Sequence, residues 1–284
     1  QALMSVVLAQ LYEETGTPRY KHALKRLLNY VSLNMTDGSG AFYSAQDAET
    51  DAVEGAYYVW NDEELMSLLE QEDFNLLSSI YSKADIPEIS GHKHPHGKVL
   101  YRAQNLPDET TQDSLDAIFA QLLSVRAKRK PPLRDEKILT AWNGMMIYGL
   151  AESGRIIGDP AYVQQAEKAA RFILNNMKQT DGRLYRISMN DQPHQNAFFE
   201  DYAWLARGLM ALNRVTGNEY YKTETLRLID TVDQYFMDKD SGGYFMTDGM
   251  EPFFLRIKMG DDSGALPSGN PVMAHVFADL YSAT

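Results

Sequence analysis

Apolar residues recur at helical spacing along most of the chain. In QALMSVVLAQLYEETGTPRY the positions Leu3, Val6, Val7 and Leu11 share one helical face. The same pattern returns in NGMMIYGLAESGRIIGDPAY, ending at Tyr162, and in YAWLARGLMALNRVTGNEYY, ending at Tyr221. The three align without gaps on Gly16, Gly158 and Gly217, and a fourth start, NPVMAHVFADLYSAT, begins at Asn270. Each unit predicts a helix, a glycine turn and a second helix. Thr17-Pro18 and Asp159-Pro160 place a capping side chain before a proline at the first position of the second helix. Each second helix then runs into an aromatic turn: DGSGAFY from Asp37, DGRLY from Asp181 and DSGGYF from Asp240. These turns predict short β-hairpin or extended excursions.

The alignment makes Gln1, Asn143, Tyr202 and Asn270 equivalent, each near the start of a first helix. Asn143 and Tyr202 are 59 residues apart, Tyr202 and Asn270 are 68, and Gln1 and Asn143 are 142, about two units. NDEELMSLLEQEDFNLLSSIY and DSLDAIFAQLLSVRAKR are therefore expected to make one more, degenerate pair, opened by Asn61 and Glu64 as a capping box. That gives four helix pairs and the first helix of a fifth. Residues 1–284 read as a single all-α domain, an incomplete α/α-toroid of about four and a half hairpins, with first helices inside and second helices outside. Long, irregular, aromatic-rich connections favour a toroid over an α-solenoid, whose repeats are shorter and more uniform.

One segment breaks the apolar pattern. In LRDEKILTAWNGMM four charged residues, Arg134, Asp135, Glu136 and Lys137, run into a helical pattern. That pattern carries Thr140 and Asn143 on one stripe beside Ile138, Trp142 and Met145. A stripe that only built core would be leucine and alanine.

Composition narrows the classes. A hydrophobic content of 44% and a charged content of 23% over 284 residues describe an ordinary soluble globular protein. No apolar run is long enough to span a bilayer, so no membrane partner is expected. The formal net charge of −12 repels phosphate backbones and argues against nucleic acid. The basic cluster Arg126, Lys128, Arg129 and Lys130 reads as a solvated helix end. With no cysteine, the chain has no disulfide, thiolate metal site or redox dithiol. The histidines of HKHPH, His92, His94 and His96, read as a surface loop rather than a metal site, because Pro95 interrupts their alternation. There is no phosphate loop, GxSxG elbow or HExxH. No cofactor and no metal are expected. The chain begins at Gln1 with no signal-like segment, and a cytoplasmic location is the expectation.

Four blocks, FYSAQDAETDAVEGAYYVW, PPLRDEKILTAWNGMMIYGLAESGRI, FFEDYAWLARGLMAL and DDSGALPSGNPV, occur in this order. They resemble the signature blocks of the thioredoxin-domain-containing proteins of the spermatogenesis-associated protein 20 type, and the resemblance covers nearly the whole chain. It implies a DsbH-like thioredoxin domain followed by a six-hairpin α/α-toroid, itself similar to those of glycosidases and N-acylglucosamine 2-epimerases. This chain resembles the toroid part only. The thioredoxin-like part is not in it, which agrees with the absence of cysteine, and the last one and a half hairpins are expected to be missing as well.

In a toroid the first helices run the same way, so their N-termini ring one mouth, where helix ends add hydrogen-bond donors. The candidate acid/base carboxylates feeding that mouth are Asp47, Asp135, Asp201 and Asp262. The candidate ligand-binding residues are Glu49, Arg134, Lys137, Trp142, Asn143, Glu200, Tyr202, Arg256, Lys258, Ser268 and Asn270. Such a funnel suits sugars: aromatics cover the apolar ring face, amides and charges bond the hydroxyls, and hydrolysis needs two carboxyl groups. Each residue also has a plainer reading. Asp135, Glu200 and Asp201 would serve as helix caps, Arg256 and Lys258 as one solvated strand face, 267–270 as a turn, and Trp142 as core.

Three functions follow. The first is a carbohydrate-binding or carbohydrate-processing toroid, hydrolase-like or epimerase-like; the epimerase form fits less well, because only His275 lies inside a first helix. The second is a non-catalytic scaffold working with a thioredoxin-like domain. The third is a toroid that has lost its chemistry. The residues leave open whether the chain is an enzyme.

Overall fold

The computed structural model describes residues 1–86, 93, 95–104, 109–250, 256–258 and 266–282. The chain forms two compact units, Gln1–Ser44 with Glu136–Thr284, and Ala45–Asp135.

The larger unit opens with α1 (Ala2–Thr15) and α2 (Pro18–Asn34), followed by β1 (Tyr43–Gln46). The smaller unit holds β2 (Glu49–Thr50), β3 (Val53–Glu54), α3 (Asp62–Leu68), α4 (Gln71–Ile80), β4 (Tyr81–Ala84), β5 (Val99–Arg102) and α5 (Glu109–Arg126). β6 (Arg134–Leu139) leads back into the larger unit. There α6 (Thr140–Ile157), α7 (Pro160–Asn176), β7 (Tyr185–Met189), β8 (Gln192–Asn196), α8 (Phe199–Thr216), α9 (Glu219–Tyr235) and α10 (Gly269–Ser282) follow.

The repeat seen in the sequence is the repeat of the larger unit. α1, α6, α8 and α10 pack side by side in that order, and α2, α7 and α9 each pack on their own first helix. Gly16, Gly158 and Gly217 end the first helices in the left-handed region, φ 63°, 70° and 67°, where L side chains are strained. Asp159 caps α7 by accepting from Ala161 N at 3.0 Å, while Thr17 makes no such bond to α2. Pro18 alone gives α2 its start.

First and second helices bury different fractions of their surface. α7 is amphipathic and buries Ala166, Ala169, Ala170 and Ile173, whereas α6 is buried on most sides from Thr140 to Gly154. The first helices approach closely: a Cβ at Gly144 would stand 2.5 Å from the backbone of Trp204, and one at Gly208 2.8 Å from the carbonyl of Gly144. Contacts of early α6 with early α8, and of Gly269 with Phe199, mean that these helices run parallel. Nearer their C-termini they are tied by ion pairs that pass from Glu13 through Arg155, Glu152 and Arg214 to Asp279, one helix to the next.

Two expectations change. The middle segment is not a helix pair within this layer. α1 packs directly on α6, and Leu65, Leu77, Ile80, Leu115, Ile118 and Leu122 build a separate core in residues 45–135. Among the described residues, the larger unit has three helix pairs and one further first helix. Asn61 does cap α3, accepting from Glu64 N at 2.7 Å. The charged run LRDEKIL is a strand and not a helix start. It pairs antiparallel with β7 through Ile138 and Leu139, in a sheet of order β1-β6-β7-β8. Asp135 therefore lies on β6 and not at the N-cap of α6, which begins at Thr140, preceded by the extended backbone of Leu139. The turn of the β7–β8 hairpin, Asn190-Asp191, has φ 53° and 59°, the two positive values of a type I′ turn.

Candidate functional site

The polar residues at the starts of the first helices have a common task. The amide of Asn143 accepts from Phe42 N at 2.8 Å and donates to Phe42 O at 3.0 Å. The amide of Asn270 does the same to Tyr244, at 2.9 and 3.0 Å. The phenol of Tyr202 accepts from Leu184 N at 2.9 Å, and burial pushes its pKa up. Phe42, Leu184 and Tyr244 are the equivalent aromatic-turn positions of three successive repeats. Each turn is closed by one antiparallel bridge, Thr36 to Phe42, Lys178 to Leu184 and Met237 to Tyr244. Each first helix thus grips the turn of the pair before it. Thr140 is spent similarly, donating to Tyr185 O at 2.7 Å. Thr140, Asn143 and Tyr202 are buried. The side chains expected to face a ligand at these positions, and that of Asn270 with them, are instead turned to backbone that a close-packed layer leaves without partners.

The clasps divide the repeat into a constant and a variable part. From first-helix start to gripped turn the spacing is 41 residues (Gln1 to Phe42, Asn143 to Leu184) or 42 (Tyr202 to Tyr244). From gripped turn to the helix that grips it, the spacing is 101, 18 and 26 residues.

Asp201 is fully buried in the first turn of α8. One carboxylate oxygen accepts from Ala141 N at 2.9 Å, at the start of α6; the other accepts from Phe198 N at 2.8 Å and from Arg186 Nη1 at 2.9 Å. The plainer reading, a cap, holds for Asp201, which caps two helices at once. Burial raises its carboxyl to about 6, against the opposing pull of Arg186 and Phe198 N. Arg186 comes from β7, lies 4.4 Å over the Phe198 ring, and holds Glu200 at 2.9 Å with the same nitrogen. Burial works against the Arg186 charge, but Asp201 and Glu200 raise its pKa on balance. Glu200 keeps 40% of its side chain exposed and is the reachable carboxylate of the three groups. The sequence passes over Arg186, since nothing beside it marks it; only the β7–β8 hairpin brings it to α8.

Beside Ala141 stands Trp142, 42% exposed at the N-terminal end of α6. It lines an open cleft of about 320 Å³ with Leu3 of α1, Met35 and Tyr43 of the first aromatic turn, and Met145 and Met146 of α6. A tryptophan left this exposed at a cleft mouth is not core.

The remaining candidates are placed apart. Arg256 donates to Tyr235 O at 3.0 Å and stacks on Phe245; Lys258 binds Ser241 and Gly242 at 2.6 Å and Asp238 at 2.5 Å. Both brace the third aromatic turn, and residues 256–258 form no strand. Lys258 and Ser241 hold the Asp238 carboxyl below its ordinary range. Ser268 is buried just before α10, and Lys137 sits half-buried on β6. Asp262, His92 and His94 lie outside the described residues, and His96 is exposed. Asp47, Glu49, Arg134 and Asp135 belong to the smaller unit. There Asp47 accepts from Glu49 N at 3.2 Å, and Glu49 faces Glu54 across the β2–β3 turn. Arg129, in the basic cluster, is not simply solvated: it bonds the carbonyls of Tyr57 and Val59 and pairs with Glu64 at 2.8 Å. Among the described residues no helix is long and apolar enough to cross a membrane.

No protein-family model matches the chain. The chain is 31% identical, over 323 aligned positions, to spermatogenesis-associated protein 20 of Homo sapiens, and the alignment takes in 100% of the chain. The chain is a homologue of spermatogenesis-associated protein 20. It spans 41% of the length of spermatogenesis-associated protein 20, and the region they share is the one that carries the helix hairpins. Among solved structures, the unsaturated glucuronyl hydrolase of Bacillus sp. GL1 is 14% identical with a TM-score of 0.52, over 98% of this chain and 57% of the hydrolase. The cellobiose 2-epimerase of Spirochaeta thermophila is 13% identical with a TM-score of 0.51, over 87% of this chain and 45% of the epimerase. The fold shared with them is the all-α α/α-toroid.

Proposed function

We propose that the larger unit binds a carbohydrate-like ligand at the N-terminal ends of its first helices, as part of a sugar-processing protein. The observation that carries this reading is Trp142, whose indole is exposed at the mouth of a cleft where a sugar ring could stack. The likeness to a glucuronyl hydrolase and a cellobiose epimerase supports it through the fold. Glu200 is the carboxylate assigned to the ligand, Arg186 the donor beside it, and Asp201 the buried group that positions Arg186. Thermal-shift titration with neutral, amino and acidic sugars tests the reading. At least one sugar is expected to raise the melting temperature of the wild type and not of Trp142→Ala. A panel without any shift on folded protein overturns it.

A second reading is a scaffold that works with a thioredoxin-like domain, since a shared fold does not carry a shared chemistry. It predicts a silent sugar panel together with a stable complex with a thioredoxin-like domain in gel filtration.

A further inference from the structure

The cleft beneath Trp142 is the wrong environment for a bare sugar. Of the twelve residues that line it, none carries a charged side chain, and polar side-chain atoms come only from Gln1, Tyr43, Ser44 and the indole N–H of Trp142. Its floor is Phe42, Met145 and Met146, all buried. A hexose pushed down onto that floor would lose water from its ring of hydroxyls without gaining partners for them, and unmade hydrogen bonds are costly. At the mouth, over the exposed indole, the same hydroxyls keep their water. The volume, about 320 Å³, is at the small end of ligand pockets. Met35, Met145 and Met146 are flexible thioethers that adapt to varied apolar shapes.

We infer that the cleft takes the apolar aglycone of an uncharged glycoconjugate, an alkyl or aryl glycoside, whose sugar rests at the mouth against Trp142. The inference rests on the carbohydrate reading above and narrows it. An aglycone that carried a phosphate or carboxylate would find no cation among the residues that line the cleft. The glycosidic oxygen lies at the boundary between the two environments, so the bond joining sugar to aglycone is the one that stands beside the helix N-termini.

A chain-length series tests this by calorimetry: methyl, butyl, hexyl and octyl β-D-glucopyranosides below their micelle concentrations, with octanol as the sugar-free control. Burial of one methylene corresponds to about 0.8 kcal/mol, so each added methylene is expected to tighten binding roughly fourfold until the chain reaches the floor. Met35→Gln, at a half-buried wall position, is expected to flatten that slope, while Trp142→Ala weakens all four glucosides by one common factor. Circular dichroism of both variants checks that they fold. Glucosides that bind without dependence on chain length overturn the inference and leave the carbohydrate reading standing. Octanol binding as tightly as octyl glucoside overturns the carbohydrate reading, and no binding of any glucoside overturns both.

Discussion

Asp201 shows how a single carboxylate can carry the signature of a site and serve the frame. Its folded pKa of about 6 stands above the ordinary 3.8. Between those values the native protein keeps a proton that the unfolded chain has released, so stability contributed here is full below pH 3.8 and falls as pH rises through 6. A fully buried group shifted this far corresponds to roughly 3 kcal/mol. Urea unfolding of wild type and Asp201→Asn, compared from pH 4 to 7, is expected to show the wild-type advantage shrinking by that order. An advantage that grows with pH would mean that Arg186 holds Asp201 ionised. The acidic pair Glu200-Asp201 was visible in the sequence, but which of the two is reachable was not. Burial of Asp201 depends on donors from α6 and β7, and the guanidinium that divides the pair lies 15 residues upstream in a hairpin whose register the chain does not announce.

At the scale of the element, the clasp accounts for the polar stripe on helices that are otherwise core. Removing Asn143 leaves both the N–H and the C=O of Phe42 without partners in a buried place. Unpaired buried groups cost about 1–3 kcal/mol each. Asn143→Ala is therefore expected to destabilise by about 2–5 kcal/mol. Tyr202→Phe removes one bond and is expected to cost about 1 kcal/mol. Thermal unfolding of the two variants gives the order, and equal losses would contradict it. Alignment of the repeats singled out the right positions and gave them the wrong partner. Helical periodicity says which residues share a stripe, but not whether the stripe meets a ligand or the turn of the preceding pair. The strand at LRDEKIL was hidden for a related reason: it needs β7, some fifty residues on, to be a strand at all.

For the whole molecule, helix pairs, glycine turns and the toroid class were readable, because each depends on local spacing. The standing of residues 45–135 was not, because length alone suggested a repeat where the chain makes a second core. Ser44 and Glu136, where the chain leaves and rejoins the larger unit, lie on neighbouring strands β1 and β6. Replacing residues 45–135 with a short turn is therefore expected to leave the helix layer intact, since closing a short loop costs little. Circular dichroism and a cooperative thermal melt of the shortened chain check this; loss of the cooperative transition would show that the layer needs the excised unit.

The uneven spacing around the clasps has a consequence for how such proteins diverge. The stretch from helix start to gripped turn has a fixed length, as a gear tooth has, and an insertion there would unseat the next helix. The stretch after the grip, 18, 26 or 101 residues long, answers to no such gauge. Every one of these free stretches opens at the same end of the parallel helices. Lineages that share this frame can therefore lengthen or trim the stretch after a grip without moving the helices, while the stretch before it stays under the discipline of packing.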